Sequence, residues 1–191
     1  MKARAMAVVA LGVLLASSAQ AADMQGQEFT DVDLSNAVFA RCSLAGARFV
    51  DCDLREALFE RCQPSTRLSL KNWKLDASQW HSVTLAGGTF ERGAVADMTW
   101  KYTRIEDTRF ENCQIRDVRL YHCDADEVEI EYGSLTDLRI ERANLRNGRW
   151  TNVDLAGSRF QGCEFDGTNF YRGSFEDARF RYVSFRDVVL E

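Results

Sequence analysis

The chain has 191 residues, with 24 basic and 29 acidic side chains, and its net charge is −5. This length is enough for one domain with a substantial core, and 46% apolar residues is ordinary for a globular protein. A negative charge disfavours attraction to phosphate backbones, so the composition argues against a nucleic-acid partner. One proline and twelve glycines leave little room for linkers or disorder.

The first 21 residues have the pattern of a secretory signal peptide. Lys2 and Arg4 form a basic start, residues 5–16 are an apolar run, and an Ala-x-Ala motif ends at Ala21. The alternative is an uncleaved anchor, but the run is shorter than the about 20 residues that span a bilayer. We expect cleavage after Ala21, a mature domain of residues 22–191 with a net charge of −7, no stable membrane insertion, and a periplasmic or secreted location.

Large apolar residues recur at every fifth position in the rest of the chain. One series runs from Phe29 to Phe59, and a second, displaced by one residue, runs from Leu70 to Leu190. All twelve phenylalanines and all four isoleucines lie among these 32 centres. Two residues before each centre is a column of mostly small residues, and the other three positions are largely polar. Neither helical spacing nor strand alternation explains a period of five.

A square coil explains the period, with five residues on each side and about 20 residues in a turn. The segments 33–39 and 143–147 resemble the A(D/N)LXX signature of pentapeptide-repeat proteins, and the resemblance covers roughly residues 27–191. It implies an all-β fold, a right-handed quadrilateral β-helix of about eight coils. At ~4.8 Å between stacked strands, this pentapeptide-repeat solenoid would be a rod roughly 40 Å long.

The displacement between the two series lies between Arg61 and Arg67, around the only proline, Pro64. Because proline has no N–H for a central strand, we interpret this segment as an accommodated bulge rather than a functional loop. Trp73 and Met98 are too large for the column of small residues. They predict a widened coil near the bulge.

All six cysteines lie in the column of small residues, and their even number in an exported protein would allow a disulfide framework. Cys42 and Cys62 would stack on one wall, where parallel Cα–Cβ vectors suit a disulfide poorly, and Cys52 would face them across the bore. We interpret all six as small buried hydrophobic residues, without the spacing of a zinc site. They are Cys42, Cys52, Cys62, Cys113, Cys123 and Cys163.

Charged residues also align at intervals of 20. One column contains Arg119, Arg139, Arg159 and Arg179. A second column, two residues earlier in the repeat, contains Asp97, Asp117, Asp137 and Asp177. The pattern indicates either a ruler for an extended anionic polymer or two ladders that neutralise each other. We favour mutual neutralisation, because each stack has an opposite stack beside it.

A neighbouring wall is predicted to carry aromatic, imidazole and cationic side chains on one outward face. This candidate partner-binding surface consists of His81, Lys101, Tyr102, Tyr121, His122, Arg142, Arg181 and Tyr182. Aromatic and arginine side chains are enriched at protein interfaces, although any solenoid must expose some of its residues. Neither histidine lies in a nucleophile motif and there is no glycine-rich phosphate loop, so we expect no catalytic residue, cofactor or metal.

The repeat continues to Leu190, which leaves the edge of the core at the last coil to be covered. The resemblance implies a dimerising helix in some relatives, and we expect none here because the repeats run to Leu190. We expect a homodimer through the C-terminal coil, with Phe185 and Leu190 at the dimer end. The alternative is a monomer whose last coil frays.

The leading interpretation is an exported, non-catalytic binding or scaffold module that holds a protein partner on its rigid flat walls. The resemblance implies an alternative, because some pentapeptide-repeat proteins are similar to duplex DNA in size and charge and occupy the DNA site of gyrase. A secretory signal disfavours this DNA-mimic function, and the lack of a catalytic constellation disfavours an enzyme. The fold alone does not decide between these functions.

The signal-peptide prediction has a direct test. The intact mass of protein recovered from the periplasm or the medium should correspond to a chain that begins at Ala22. Ala19→Arg removes the small residue of the cleavage motif and should cause the uncleaved precursor to accumulate. A cytosolic wild-type chain that retains Met1 would contradict both the location and the leading interpretation.

Overall fold

A computed structural model describes residues 24–63 and 65–191, and these residues form a β-solenoid of about eight turns. The predicted all-β coil is therefore confirmed. The predicted signal peptide, residues 1–21, and Pro64 lie outside the described residues. In the part of the chain that the structure describes, no helix has the length and apolar character needed to cross a membrane.

Short parallel strands, numbered in chain order, stack into two long walls. The nine-strand wall contains β1 (Glu28–Thr30), β3 (Arg48–Val50), β5 (Ser69–Lys71), β8 (Thr89–Glu91), β12 (Arg109–Glu111), β15 (Glu129–Glu131), β18 (Arg149–Thr151), β20 (Asn169–Tyr171) and β22 (Val189–Leu190). The eight-strand wall contains β2 (Val38–Ala40), β4 (Leu58–Glu60), β6 (Gln79–His81), β10 (Thr99–Lys101), β14 (Arg119–Tyr121), β17 (Arg139–Glu141), β19 (Arg159–Gln161) and β21 (Arg179–Arg181).

Two shorter sheets form the remaining sides of the coil. The two-strand wall contains β7 (Thr84–Ala86) and β11 (Arg104–Glu106). The three-strand wall contains β9 (Ala94–Ala96), β13 (Gln114–Arg116) and β16 (Ser134–Thr136). Isolated bridges extend both walls, such as Asp124 to Asn144 on the first and Asp33 to Asp53 on the second.

Strands pair with an offset of 20 residues, except across the predicted displacement. There the offset is 21, since Phe49 lies beside Leu70. Cys62 and Ser65 are both buried with two residues between them, where a regular block has one. Ser65 therefore takes the inward centre position, and the extra residue is accommodated without disturbing the columns on either side.

The two inward columns fill the core. The series of buried centres begins one block earlier than predicted, at Met24, and extends to Phe170, with only Ile115 and Leu120 partly exposed within it. Aromatic centres stack from one coil to the next, because neighbouring strands bring identical positions together. The rings of Phe39 and the phenylalanine 20 residues later are parallel, with centroids 4.5 Å apart.

A glycine in the following coil makes space for Trp73. The Trp73 indole is buried, and a Cβ atom at Gly93 would lie 1.9 Å from it. Met98 accepts a hydrogen bond from the Trp100 indole N–H at 3.0 Å, and an apolar cavity of about 60 Å³ remains beside these side chains. Trp73 is therefore accommodated by the missing side chain of Gly93 one coil away, a pairing that the sequence analysis did not predict because it considered each block separately.

The corners of the coil have left-handed backbone conformations. Among the described residues, 27 that are not glycine have φ between 48° and 60°. This conformation costs an L-residue about 1–2 kcal/mol relative to the right-handed region, whereas glycine adopts it without that cost. Large side chains at corners, such as Tyr102 and His122, are therefore held at positions where glycine would be less strained.

The register predicts that inward and outward substitutions differ sharply. Phe165 is fully buried, and Phe165→Ala should lower the free energy of unfolding by about 3–5 kcal/mol. Arg159 is exposed on β19, and Arg159→Ala should change it by less than about 1 kcal/mol. Denaturant melts of the two variants measure this difference, and equal losses would contradict the assignment of inward and outward positions.

Candidate partner-binding surface

The eight predicted surface residues lie along the eight-strand wall and the corner that follows it. Four of them end strands of this wall, namely His81, Lys101, Tyr121 and Arg181. The other four directly follow strands at left-handed corners, namely Tyr102, His122, Arg142 and Tyr182. Strand pairing fixes their order along the rod, since Lys101 lies between His81 and Tyr121.

Ring side chains from three coils form one contiguous cluster. Tyr102 lies in the middle, with ring centroids 5.6 Å from His81 and 5.6 Å from His122. The Tyr102 and His122 planes are 12° apart, and Tyr121 packs edge-on against His122 at 4.3 Å. Arg142 extends the cluster by another coil, since its Nη1 lies 3.3 Å from His122 Nε2. The side chains therefore hold one another in place while Tyr102 remains 56% exposed.

Arg181 and Tyr182 lie apart from this cluster. The corner column between Arg142 and Tyr182 contains Gly162, which has no side chain to bridge them. The Arg181 guanidinium lies over the Tyr182 ring, 4.9 Å from its centroid. The structure thus brings six of the predicted residues together and leaves these two as a separate cation–π pair.

The arginine column predicted for another wall lies on this same wall. Arg119 and Tyr121 are the first and last residues of β14, and both flank its inward centre on the outer face. The register stacks Arg119 beside Arg139. A shallow groove of about 360 Å³ lies between the two outward columns, and its lining includes Lys101, Arg119, Tyr121, Arg139 and Glu141.

The predicted neutralisation of the arginine column by the aspartate column is wrong. Within residues 24–63 and 65–191, no ion pair within 4.0 Å involves Arg119, Arg139, Arg159 or Arg179. Asp117 instead lies 3.5 Å from Arg116. The reason is that the aspartates occupy the preceding corner, separated from the arginines by one inward residue, so the two columns belong to adjacent walls.

The outer face of this wall is cationic, in contrast to the net charge of the chain. From β10 to β21, the outward strand positions and the following corner contain seven cations and one carboxylate, Glu141. The cations are Lys101, Arg119, Arg139, Arg142, Arg159, Arg179 and Arg181. We call this face, with its ring cluster, the basic wall. On the nine-strand wall, by comparison, Arg109 lies within 4.0 Å of three glutamates.

A larger groove, of about 870 Å³, runs beside the two-strand wall and was not predicted. Glycine and alanine line one end and carboxylates the other. The signal in the sequence was the small pairs that follow centres, such as Ala45-Gly46 and Ala86-Gly87. The side chains that line this groove do not point to any particular class of ligand. In the described part of the chain, no group of three or more His, Cys, Asp or Glu side chains is placed to hold a metal ion.

The predicted dimer end is exposed and apolar. Leu190 is 68% exposed and Phe185 is 46% exposed. Phe185 nevertheless stacks on Phe165 of the preceding coil, with ring centroids 5.5 Å apart. The last coil is therefore ordered against its neighbour on one side and open on the other.

Comparisons with known proteins agree with the repeat. A family model described as "Pentapeptide repeat region" matches residues 97–170, and another, "Pentapeptide repeats (8 copies)", matches residues 20–62. No curated protein sequence matches the chain.

Similar solved structures include two pentapeptide-repeat solenoids. Trypsin-treated QnrB1, a plasmid-mediated fluoroquinolone resistance protein, is 14% identical, with 91% of this chain and 86% of that chain covered and a TM-score of 0.46. HetL, a pentapeptide repeat protein involved in heterocyst differentiation regulation in Nostoc sp. strain PCC 7120, is 15% identical, with 96% and 93% covered and a TM-score of 0.37. Since the two family matches together span more than half of the sequence, this chain belongs to the pentapeptide-repeat proteins.

Proposed function

We propose that this chain is an exported, non-catalytic module that binds a partner protein on the basic wall. The observation that carries the proposal is the contiguous cluster of His81, Tyr102, Tyr121 and His122, beside a column of arginines for which the described residues provide no ion pair. Tyrosine and arginine side chains contribute most to the binding energy of protein interfaces. A surface that presents both on a flat sheet has the chemistry of an interface.

The charge of the wall indicates the chemistry of the partner surface. Carboxylates on the partner would pair with Arg119, Arg139 and Lys101 without displacing an existing ion pair of the described chain. Such pairs steer association and make it depend on salt concentration. The partner surface we expect is therefore acidic, with apolar or planar groups placed against Tyr102.

The rigidity of the wall also supports binding. The outward side chains of β10, β14 and β17 are attached to strands whose neighbours are fixed in register on both sides. Less conformational entropy is lost when a preformed surface binds, so a larger share of the contact energy appears as affinity. A scaffold function needs such a fixed surface.

Export and the absence of catalysis are parts of this proposal that the sequence supports. The pattern before Ala21 supports export, and the two histidines belong to a ring cluster rather than to a nucleophile motif. The DNA-mimic alternative is not favoured by the geometry. A mimic of DNA presents anions, whereas this face presents cations.

The exposed C-terminal coil supports a second contact, a homodimer. Phe185 and Leu190 form an apolar end that a second copy would bury by twofold symmetry. This contact would leave the basic wall free, because the wall faces sideways from the rod.

The partner proposal is tested by substitutions that relieve backbone strain. Tyr102→Gly with His122→Gly removes two rings at left-handed corners, so stability should be unchanged or higher by about 1 kcal/mol. Binding of the partner should nevertheless weaken by at least about tenfold. The partner is identified by crosslinking in periplasmic extract, and its affinity is then measured by calorimetry.

Tyr132→Gly is the matched control for these variants. Tyr132 is a corner tyrosine with φ of 54° and is 60% exposed, but it follows β15 on the nine-strand wall. Its removal should leave the affinity unchanged. Equal binding by all variants, or equal loss in the control, would contradict a role for the basic wall.

The dimer proposal is tested by light scattering of the mature protein at tens of micromolar. Wild type should be a dimer, and Phe185→Glu should be a monomer because a charge enters the apolar end. Val38→Glu places the same charge on another exposed apolar residue, 48% exposed, and should remain a dimer. A monomeric wild type would reject the proposed contact.

A further inference from the structure

Two of the six cysteines lie against each other in the core. Cys42 and Cys62 follow β2 and β4 in consecutive coils, and their Sγ atoms are 2.6 Å apart. Both residues are buried, with 2% and 0% exposure. The strands of the two coils are held together there, since the Gln63 N–H donates to the Cys42 carbonyl at 3.0 Å.

The other four cysteines have no cysteine neighbour. Their Sγ atoms donate to backbone carbonyls at 3.3–3.7 Å, as Cys62 also does at 3.2 and 3.7 Å, and the residues stacked above and below them are not cysteines. They are Cys52, Cys113, Cys123 and Cys163. A separation of 2.6 Å is nearer to the ~2.05 Å of a disulfide bond than to these contacts. Cys42 and Cys62 are therefore the one pair in the described chain that is placed for covalent bonding.

Strict stacking alone does not keep these sulfurs apart. Stacked strands are ~4.8 Å apart, which is within the Cα separation that a disulfide bridges, ~4.4–6.8 Å. Only the direction of the side chains opposed a bond in the sequence-based prediction. The extra residue of the coil comes directly after Cys62, before Ser65, so regular repetition ends at this cysteine.

We propose that Cys42 and Cys62 are oxidised to a disulfide that joins two consecutive coils, by exchange with a disulfide-containing oxidant. The Cys62 thiolate attacks the oxidant, whose S–S bond breaks, and a mixed disulfide forms while one thiolate leaves and takes up a proton. Cys42 then loses its proton and attacks the Cys62 sulfur, which expels the second thiol. The chain loses two protons and two electrons, and the oxidant is reduced to two thiols.

In the closed coils, the contact between the two thiols makes them unequal. With Cys42 as the donor, the hydrogen bond lowers the pKa of Cys62 and raises the pKa of Cys42. Because both thiols are buried, exchange takes place before these coils close during folding, or when they open.

The bond has a specific effect in a solenoid. Each coil contacts only its neighbours, so coils near an end open without disrupting the rest of the rod. A link between Cys42 and Cys62 closes a loop of one turn and removes this freedom from the coils that contain β2 and β4. Oxidation should slow proteolysis within residues 24–61 by about tenfold or more, while cleavage near the other end stays unchanged.

The test uses the sequence around the pair. Arg41 and Arg61 precede the two cysteines, so trypsin releases them in separate peptides, residues 42–48 and 62–67, while Cys52 leaves in residues 49–55. The mature protein is refolded with a mixture of reduced and oxidised glutathione, denatured, alkylated with iodoacetamide and digested. We expect one linked pair of peptides, 42–48 with 62–67, and four alkylated cysteines.

Two variants make the assignment specific. Cys62→Ala should abolish the linked peptides and leave Cys42 alkylated, whereas Cys163→Ala should keep them, since alanine is common in this column. Dithiothreitol during refolding should remove the link and the protection from proteolysis together. Six alkylated cysteines in oxidised wild type, or a link that involves Cys52, would overturn the proposal.

Discussion

Backbone hydrogen bonds that run along the rod, from each coil to the next, are the constraint on which the other features depend. They require each wall to repeat at one strand spacing, so a residue and its counterpart 20 positions later are neighbours, or 21 positions later across the extra residue. In the core this places phenylalanine on phenylalanine, as in the stack of Phe39 and Phe59. On the surface it places Arg119 beside Arg139 whether or not the two charges favour it. The backbone thus arranges the side chains in columns, and any surface site of this fold is built from such columns.

The period of five was sufficient to predict the coil, its inward columns and the place of the extra residue. The same rule predicted that His81, Lys101, Tyr102, Tyr121 and His122 share a face, because these residues differ by about 20 or are adjacent. Such features depend only on the spacing of residues along the chain. In a repetitive backbone, that spacing determines where each residue lies on the coil.

The features that could not be predicted depend on directions of side chains and on pairs across coils. The arginine column lies on the basic wall because both residues that flank a strand centre point outward, and the aspartates do not pair with it because a corner intervenes. Trp73 fits because of Gly93, 20 residues later. The approach of Cys42 and Cys62 depends on the directions of two side chains in consecutive coils. None of these three features can be recognised from the sequence of a single five-residue block.

At the left-handed corners, the chemistry of the surface is independent of the stability of the fold, although the two are usually linked in a folded domain. A corner side chain contributes nothing to the core, and its backbone is more relaxed as glycine, as at Gly162. Changes at these positions can therefore alter the surface that the rod presents while its unfolding temperature stays constant or rises. Rods with the same interior can therefore present different corner columns. Their surfaces can diverge in sequence without any prior gain in the stability of the fold.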